Sequence, residues 1–407
     1  MKIILATESF LPNISGVSVA TDTLANNLID AGHSVSVFCP GSENKTYQDK
    51  AFSKYPVIRF KSITNPFRKG FRITSASKKE LGKMVEEIAP DLIHLQDVAS
   101  IGLALRDIGK ELNIPVIITN HFSLEFALSY VKFKWLRPIA RSLLVNYLVN
   151  FHNKCDLVIT PTETIAKQIR SWKVKTPVVG VSNGIFHSRF LAHLNKDYLD
   201  DFRRRFHLPD NKIVLYTGRI DKDKSVDVII RSIPEVVKET NAHFVFAGTG
   251  DLLPAMENLA ETLGVRKEIT FLGKLNREST DFVALYKSAN VFAIASLIET
   301  QSLVTLEAMS SGLPIVAVNF NALPELVKNG ENGFLFRPGK STDLADKLIK
   351  ILKDNEMAST MGKKSIEISA KHEMKKAFHH LLLVYKEVIE QKKAGKVYLP
   401  PAYSYPY

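Results

Sequence analysis

The chain has 407 residues, of which 45% are hydrophobic and 24% are charged, a balance typical of soluble globular proteins. A single hydrophobic core seldom grows this large, so the length predicts two domains. Cys39 and Cys155 are too few for a disulfide framework, which predicts a reducing cytoplasm, and no stretch approaches the roughly 20 apolar residues that span a bilayer. Most of the net charge of +12 lies in residues 1–190, which predicts an anionic partner such as nucleic acid, acidic lipid or a phosphorylated substrate.

The first half alternates short apolar runs with helical patterns. Strands are predicted at 2–7, 34–38, 57–60, 91–95, 116–120, 157–160 and 178–181, with a helix at 17–31 and helical spacers between most later strands. This alternation predicts an α/β fold with a doubly wound parallel sheet. Gly16 stands beside a helix start, where a bare backbone permits close approach of a phosphate. His121 follows a strand at the edge where such sheets bind ligands, and His94 and Asp97 are weaker candidates at another strand end.

Residues 126–151 mix aromatic with basic side chains, and Pro138 prevents a single long helix. This composition suits a membrane surface, where apolar groups enter the acyl boundary and basic groups face anionic head groups. The residues expected to contact it are Lys132, Lys134, Trp135, Arg137 and Arg141, and residues 67–72 have similar chemistry. The alternative is that the apolar positions pack on the sheet while the charges face solvent. No nucleic-acid-binding motif accompanies the charge, so nucleic acid is not expected as a partner.

A second strand–helix series begins at residue 213. Its strands are predicted at 213–217, 243–247, 269–272, 291–295, 315–318 and 334–336. Its helices are predicted at 197–207, 281–288, 303–310, 342–352 and 357–370, and a last helix follows at about 375–392. Residues 393–407 are rich in proline and tyrosine near the end and are predicted to form a disordered tail.

Charged residues follow two strands of this second series. Arg219 and Lys224 suit a diphosphate, because arginine offers a rigid fork of donors and lysine a point charge. Ser302 is a plausible N-cap for the helix at 303–310, and a helix N-terminus attracts phosphate. Glu299 and Glu307 could accept hydrogen bonds from sugar hydroxyls. The alternative for these two acids is a solvated loop carboxylate and an ordinary helix-face carboxylate.

The spacing of Glu299 and Glu307, followed by Ala308 and Met309, resembles the E-x7-E signature of the retaining GT-B glycosyltransferases of family 4, also called glycosyl transferases group 1. The six residues 299–304, Glu-Thr-Gln-Ser-Leu-Val, are similar to the branch of 1,2-diacylglycerol glucosyltransferases, in which a glycine often stands at the position of Ser302. Arg219 and Lys224 match the phosphate clamp of the family. Residues 181–185 resemble its hinge, although Phe186 replaces the aspartate that often follows.

The resemblance implies two Rossmann-like domains facing a cleft: an acceptor-side domain at 1–185 with a crossover helix at about 375–392, and a nucleotide-sugar-binding domain at 186–374. It implies that His121, Arg219, Lys224 and Glu299 take part in catalysis. The residues that it implies as donor contacts are Gly16, Arg219, Lys224, Leu275, Glu299, Thr300, Gln301, Ser302, Leu303 and Glu307. Glu307 would hold the ribose hydroxyls, Glu299 the hydroxyls of the sugar, and Leu275 belongs to the loop that seats the base.

The function expected from this resemblance is retaining transfer of a hexose, glucose in the first instance, from a UDP-sugar to a membrane lipid such as diacylglycerol. The protein would then be cytoplasmic and peripheral on the inner face of the cell membrane. No metal or cofactor is expected, because two cations and a helix N-terminus can balance the departing diphosphate, and no obligate protein partner is evident. The alternatives are a soluble or polysaccharide-precursor acceptor, an epimerase or hydrolase of nucleotide sugars, and a non-catalytic nucleotide-sugar-binding protein.

Overall fold

The computed structural model describes residues 1–13, 15–65, 72–129, 131 and 133–399. The chain divides into two compact units. The N-terminal unit consists of Met1–Asn183 and the described residues from Phe378 onward, and the C-terminal unit consists of Gly184–Ala377. The last helix therefore begins in the second unit and ends in the first.

The described residues form alternating strands and helices along the whole chain. The strands are β1 (Lys2–Ala6), β2 (Ser34–Pro40), β3 (Tyr47–Gln48), β4 (Val57–Phe60), β5 (Ser62–Thr64), β6 (Arg72–Thr74), β7 (Leu92–Leu95), β8 (Val116–Thr119), β9 (Leu157–Thr160), β10 (Val178–Gly180), β11 (Ile213–Thr217), β12 (His243–Ala247), β13 (Ile269–Gly273), β14 (Val291–Ile294), β15 (Ile315–Val318) and β16 (Gly333–Phe336). The helices are α1 (Gly16–Asp30), α2 (Lys78–Ile88), α3 (Ser100–Glu111), α4 (Leu124–Ser129), α5 (Arg137–His152), α6 (Glu163–Ser171), α7 (His187–Leu191), α8 (Lys196–Arg205), α9 (Val226–Thr240), α10 (Leu253–Thr262), α11 (Thr280–Lys287), α12 (Leu303–Ser310), α13 (Leu323–Leu326), α14 (Ser341–Lys353), α15 (Asn355–Ser369) and α16 (Met374–Lys393). Short 3-10 turns cover Lys134–Leu136, Lys222–Lys224, Arg266–Glu268 and Ala370–His372.

The N-terminal unit is built on a sheet with the strand order β10-β9-β8-β7-β1-β2-β4-β3. Neighbouring strands run parallel except β3 and β4, and β5 pairs with β6 in a separate antiparallel hairpin. Both faces of the sheet are covered. Ile4 of β1 packs in a core with residues of α2, α3 and α6, whereas its neighbour Ile3 packs in a second core with residues of α1 and α16. Burial on both faces explains why these strands are continuous apolar runs in the sequence.

The C-terminal unit is built on a parallel sheet with the strand order β13-β12-β11-β14-β15-β16. One extended core joins the sheet to its helices, and it includes Ile229 of α9, Leu306 of α12 and Leu348 of α14. The strands β11 and β14 are neighbours although two strands lie between them along the chain. The chain order reverses at this pair, and ligands bind at the carboxyl ends of the strands at such a point.

Several elements differ from the predicted ones in instructive ways. The short strands β3, β5 and β6 have no buried alternating pattern long enough to be recognised in the sequence. Pro138 lies in the first turn of α5, where the absence of its N–H costs nothing, so it separates α5 from α4 as predicted. The disordered tail does not begin at residue 393. Tyr398 is only 3% exposed and packs in the core beside α16, because its ring can bury apolar surface there, whereas residues 400–407 lie outside the described residues.

Among the described residues, burial holds five histidines in their neutral form. It lowers the pKa of His94 and His380 to about 3, and the pKa of His121, His152 and His372 to about 4. A histidine in the unfolded chain has a pKa of about 6.5, so the unfolded state binds more protons as the pH falls below that value. The stability contributed by the neutral histidines is present above pH 6.5 and is lost between pH 6.5 and about 4.

We therefore expect marked acid lability. Each buried histidine should cost about 1.4 kcal/mol of unfolding free energy between about pH 7.5 and pH 5.5, partly offset by Asp97, whose pKa burial raises to about 6. Urea denaturation at the two pH values measures the loss. His152→Leu should reduce the slope of the unfolding free energy against pH by the contribution of about one proton. The reason is that both ring nitrogens of His152 are buried and no partner is described for them. The exposed His193 provides the control, and an equal flattening in His193→Gln would contradict this explanation.

Candidate functional site

The predicted phosphate clamp lies at the carboxyl ends of two neighbouring strands in the C-terminal unit. Arg219 and Lys224 follow β11, and Glu299 follows β14. After the 3-10 turn Lys222–Lys224, Ser225 adopts a left-handed conformation with φ of 48° and α9 begins. Because β11 and β14 are hydrogen-bonded to each other, the two loops meet, and the structure brings these three predicted residues together.

Lys224 and Glu299 form a hydrogen-bonded ion pair. Lys224 Nζ donates to Glu299 Oε1 at 2.8 Å, and the side chains of both residues are less than one-fifth exposed. Burial alone favours the neutral amine, but the carboxylates of Glu299 and Asp223 outweigh it, so the pKa of Lys224 lies above its ordinary value. Lys224 is therefore a fixed positive charge whose position is set by Glu299.

Arg219 is held by the acids of its own loop. Its guanidinium donates to the carboxylate of Asp221 and lies 3.4 Å from Oδ2 of Asp223. The same oxygen of Asp223 lies 3.4 Å from Lys224 Nζ, so Asp223 bridges the two cations. An arriving anion would compete with these carboxylates for both cations. The sequence pattern singled out the two cations but not the two aspartates.

Two glycines bring the loop after β12 against the clamp loop. A Cβ on Gly248, which has a φ of 148°, would overlap the carbonyl oxygen of Gly218. A Cβ on Gly250 would overlap the carbonyl oxygen of Ile220 and crowd the carboxylate of Asp221. The backbone N–H of Asp251 then donates to Oδ1 of Asp221 at 3.0 Å. The two glycines thus allow the close approach by which Asp251 fixes Asp221, the acid that holds Arg219.

The loop from Thr300 to Ser302 leads from Glu299 into α12. Ser302 is the N-cap residue, as predicted, but its side chain makes no capping hydrogen bond to the backbone. Its hydroxyl accepts instead from the hydroxyl of Thr305 at 2.8 Å. Gln301 and Ser302 are buried, whereas Thr300 and Leu303 are partly exposed. The first turn of α12 therefore keeps backbone N–H groups that could donate hydrogen bonds to a phosphate.

Glu307 lies inside α12 and is 2% exposed. Its Oε2 accepts from the Tyr286 hydroxyl at 2.6 Å, and that hydroxyl lies 2.7 Å from the hydroxyl of Thr217 at the end of β11. Its Oε1 accepts from the guanidinium of Arg277. Burial raises the pKa of Glu307 above its ordinary value, and Arg277 opposes this shift. The sequence analysis missed Tyr286 and Arg277, because they lie 21 and 30 residues from Glu307 along the chain.

Leu275 belongs to the loop that follows β13. It is partly buried and packs against the core of the C-terminal unit. Gly273, with a φ of 68°, turns the chain at the end of β13 so that this loop leaves the sheet. Arg277 stands two residues beyond Leu275, so the loop predicted to seat a base also carries the partner of Glu307.

Two predicted site residues, Gly16 and His121, lie in the N-terminal unit. Gly16 begins α1, and a Cβ there would meet nothing within 4 Å, so packing within the protein does not require glycine. His121 follows β8, and its Nε2 lies 3.0 Å from Oε1 of Gln96, which follows β7. Gln96 Nε2 and Asn120 Oδ1 are buried atoms for which no hydrogen-bond partner is described. His121, Gln96 and Asn120 thus form a polar group at the carboxyl ends of two neighbouring strands.

The weaker candidates beside them have different roles. His94 is 1% exposed, and its two ring nitrogens lie 2.5 Å from the Tyr385 hydroxyl and 2.7 Å from the Thr119 hydroxyl. The ring of His94 is therefore buried and paired on both sides, by Thr119 of β8 and by Tyr385 of α16. Asp97 accepts from the backbone N–H of Glu8 at 2.5 Å and from the hydroxyl of Thr7 at 3.1 Å. Its carboxylate joins the ends of β1 and β7.

An apolar stripe runs along the surface of the N-terminal unit at the start of α5. It consists of Trp135, Ile139, Leu143 and Tyr147, which are 71%, 57%, 65% and 41% exposed. The four residues follow one another at intervals of four, so the last three share one face of α5. Phe133, 63% exposed, extends the stripe with its ring 6.5 Å from that of Trp135. Leu148 and Phe151, nearer the end of α5, are buried in the unit.

The basic residues predicted beside this stripe divide into three groups. Lys134 is exposed, and the exposed Arg141 forms an ion pair with Glu125 at 2.9 Å. Arg137 is partly buried, with a buried Nε atom for which no partner is described, because it begins α5 against the unit. Lys132, Tyr130 and the side chain of Phe126 lie outside the described residues, as does the basic segment 66–71. Exposed apolar area, more than unpaired positive charge, distinguishes this surface.

Two absences concern the part of the chain that the structure describes. No described helix combines the length and the apolarity that crossing a membrane requires. The described histidines, cysteines and acidic residues contain no group of three or more that could hold a metal ion.

The fold defines a class of protein, α/β proteins of two units built on parallel sheets, and the two cations at the switch point of the second sheet are suited to an anionic ligand. Two family models match the chain, one described as Glycosyltransferase Family 4 over residues 14–189 and one as Glycosyl transferases group 1 over residues 199–368. The chain belongs to this family of glycosyltransferases. The resemblance stated from the E-x7-E motif and the predicted class of enzyme, a hexosyltransferase, are therefore confirmed.

Individual relatives agree with this assignment. The chain is 29% identical over 381 residues to an alpha-monoglucosyldiacylglycerol synthase of Streptococcus pneumoniae, covering 91% of this chain and 83% of that protein. It is 28% identical to a protein of the same name from Acholeplasma laidlawii, covering 93% of this chain and 94% of that protein. The crystal structure of HepE from Anabaena in complex with UDP aligns with a TM-score of 0.75 at 18% identity, covering 95% of this chain and all of that one. This structural likeness confirms the predicted GT-B fold.

Proposed function

We propose that this glycosyltransferase transfers a glucosyl group, with retention of configuration, from UDP-glucose to a membrane lipid, either diacylglycerol or a glycosylated derivative of it. The observation that carries the proposal is the near full-length likeness to two alpha-monoglucosyldiacylglycerol synthases. The clamp at the end of β11 supports the donor, and the apolar stripe on α5 supports the acceptor. The site would be reached from the cytoplasm, with the protein bound peripherally to the inner face of the cell membrane.

In the donor half of the reaction, Arg219 exchanges its aspartate partners for diphosphate oxygens, and Lys224 donates to the diphosphate while it keeps its hydrogen bond to Glu299. The backbone N–H groups of residues 300–303, which lead into α12, donate hydrogen bonds to the same oxygens. Lys224 and these N–H groups are already positioned before the substrate binds, so they stabilise the negative charge that develops on the leaving diphosphate with little reorganisation. Because they supply this compensation themselves, the proposed reaction needs no metal ion.

Glu299 would act on the sugar while it holds Lys224. Lys224 takes Oε1, and a carboxylate has lone pairs on both oxygens, so Oε2 can accept from a sugar hydroxyl. Glu307 would accept from the ribose hydroxyls, and Leu275 would lie beside the base. Gly16 would permit close approach of the donor phosphate, and His121 would contact the donor sugar. Burial lowers the pKa of His121 to about 4, so at neutral pH it would act as a neutral hydrogen-bonding group.

The assignment of Glu307 predicts a loss of donor affinity in Glu307→Gln. The amide keeps the shape of the side chain but loses its charge, and a hydrogen bond to a charged group contributes about 1.5–3 kcal/mol. The Kd for UDP, measured by calorimetry, should therefore rise about 10- to 100-fold. Glu356→Gln, a change at an exposed acid on α15, is the control. Unchanged UDP binding by folded Glu307→Gln would mean that Glu307 does not hold the ribose.

The acceptor half of the proposal rests on the surface of α5. The stripe exposes a tryptophan and three further large side chains in one row, and exposed apolar patches of this kind mark interaction sites. Aromatic rings with a polar atom suit the boundary between head groups and acyl chains. Lys134 adds a positive charge beside Trp135 that an anionic lipid would attract.

The experiment that tests the proposal incubates the protein with UDP-glucose labelled in the sugar and with vesicles that contain diacylglycerol. Label should enter the organic phase only when diacylglycerol is present, and a metal chelator should not prevent this transfer. The linkage of the product, determined by NMR, should be α. Lys224→Ala serves as the inactive control. Label that remains in the aqueous phase as free glucose would indicate a hydrolase. Transfer of label to an added soluble acceptor, and not to diacylglycerol, would mean that the acceptor is a soluble molecule.

A further inference from the structure

Arg277 covers the carboxylate that is proposed to receive the ribose. The side chain of Glu307 is 3% exposed, whereas that of Arg277 is 50% exposed. Tyr286, which holds the other carboxylate oxygen, is fully buried behind it. The guanidinium of Arg277 therefore holds the Glu307 oxygen that Tyr286 leaves available, and a ribose hydroxyl would compete with Arg277 for that oxygen.

The backbone of Arg277 is hydrogen-bonded by a residue of another element, whereas its side chain is half exposed. Arg189 of α7 donates to the carbonyl oxygen of Arg277 and, at 3.1 Å, to that of Ser279. The guanidinium of Arg277 itself lies over the ring of Phe282, 5.8 Å from its centroid, and its remaining surface faces solvent. Rotation of the side chain about this anchored loop would uncover Glu307 without disturbing α12.

We propose that Arg277 is a ribose-exchanged lid: it occupies Glu307 in the empty site and is displaced when the hydroxyls of a nucleoside diphosphate take its place. This inference rests on the proposed function, in which Glu307 binds ribose. An arginine in this place compensates the buried charge when no donor is bound, since a buried carboxylate without a partner is costly. The ribose hydroxyls then contribute to the binding free energy only the difference between their hydrogen bonds to Glu307 and the Arg277 hydrogen bond that they replace.

The exchange has a measurable signature in ribose discrimination. A UDP analogue without the 2′ and 3′ hydroxyls can leave Arg277 on Glu307, so the wild-type protein should prefer UDP over this analogue only modestly. In Arg277→Gln the analogue leaves Glu307 without its charged partner, while UDP still supplies hydroxyls. The Kd of the analogue divided by the Kd of UDP should therefore rise about five- to tenfold in Arg277→Gln. This is the change expected when about 1 kcal/mol of competition from Arg277 is removed.

The measurement is calorimetric titration of both ligands at about pH 8.5, because burial raises the pKa of Glu307 and a higher pH favours its ionised form. Arg266→Gln is the matched control, because Arg266 is also half-exposed, lies over an aromatic ring and flanks β13. Its ratio should equal that of the wild-type protein. Arg277→Lys, which keeps a cation, should give a ratio between those of the wild-type protein and Arg277→Gln, and it serves as the test if the glutamine variant does not fold.

The outcomes separate the lid from the function on which it rests. A ratio that falls or stays constant in both folded Arg277 variants would overturn the lid, because an arginine that remains on Glu307 and aligns it would strengthen discrimination. A wild-type ratio of about one that Glu307→Gln does not change would overturn the ribose assignment itself, and the lid with it. A ratio that rises in both variants, with the largest rise in Arg277→Gln, supports the exchange.

Discussion

Replacing Lys224 by alanine is expected to lower kcat/KM about 100- to 1,000-fold, the loss that follows removal of one preorganised electrostatic group. Lys224 is the less exposed of the two clamp cations, and its position is fixed by an ion pair rather than by solvent. A fixed charge in a partly buried place interacts strongly with the developing charge of a leaving diphosphate. The effect should therefore be largest on kcat, because the diphosphate becomes more negative in the transition state than in bound UDP-glucose.

Two further variants distinguish this role from a structural one. Lys222→Ala removes an exposed cation from the same 3-10 turn and should leave kcat/KM nearly unchanged. Lys224→Ala also leaves the carboxylate of Glu299 without its partner, so its melting temperature should be measured beside its kinetics. Full activity in a normally folded Lys224→Ala protein would remove Lys224 from the clamp.

The architecture could be predicted from the sequence because its physical basis is local. A parallel strand covered on both faces is a short continuous apolar run, and a helix that packs on it repeats its apolar residues every three or four positions. Both patterns are present in the sequence of each unit, so the order of strands and helices along the chain could be predicted. The order of strands across each sheet was not, since nothing local places β14 beside β11.

The site was predictable only where neighbouring residues carry it. Arg219 and Lys224 share one loop, and Glu299 and Glu307 share one strand–helix unit. Partners from distant segments left no signal of this kind. Arg277 meets Glu307 across 30 residues and Tyr385 meets His94 across 291, so the lid on the one and the burial of the other needed the structure.

The surface of α5 shows the same division. The mixture of aromatic and basic residues in 126–151 identified the segment, but not which face of the helix is exposed. The structure turns Leu148 and Phe151 inward and leaves Trp135, Ile139 and Leu143 in solvent. In the proposed membrane contact, this distribution makes the apolar stripe, rather than the basic residues, the larger determinant of binding.

We accordingly expect a Trp135/Ile139/Leu143→Ser variant to bind anionic vesicles at least about 100-fold more weakly than the wild-type protein. Fully burying one such side chain contributes about 1.5–3 kcal/mol, so even shallow insertion of three exceeds the roughly 2.7 kcal/mol that corresponds to this factor. Salt should weaken wild-type binding only in part, because it screens the charge of Lys134 but not apolar insertion. Vesicle sedimentation at low and high salt measures both terms.

The matched control is Leu112/Leu383/Val397→Ser, which removes three exposed apolar residues from the same unit but outside the stripe. The control should sediment with vesicles as the wild-type protein does. Both variants should keep the wild-type affinity for UDP, since the clamp lies in the C-terminal unit. If the stripe variant sediments as well as the control, or transfers glucose to diacylglycerol in vesicles at the wild-type rate, α5 does not bind the membrane. The stripe must then serve another contact, and a soluble acceptor becomes the better assignment.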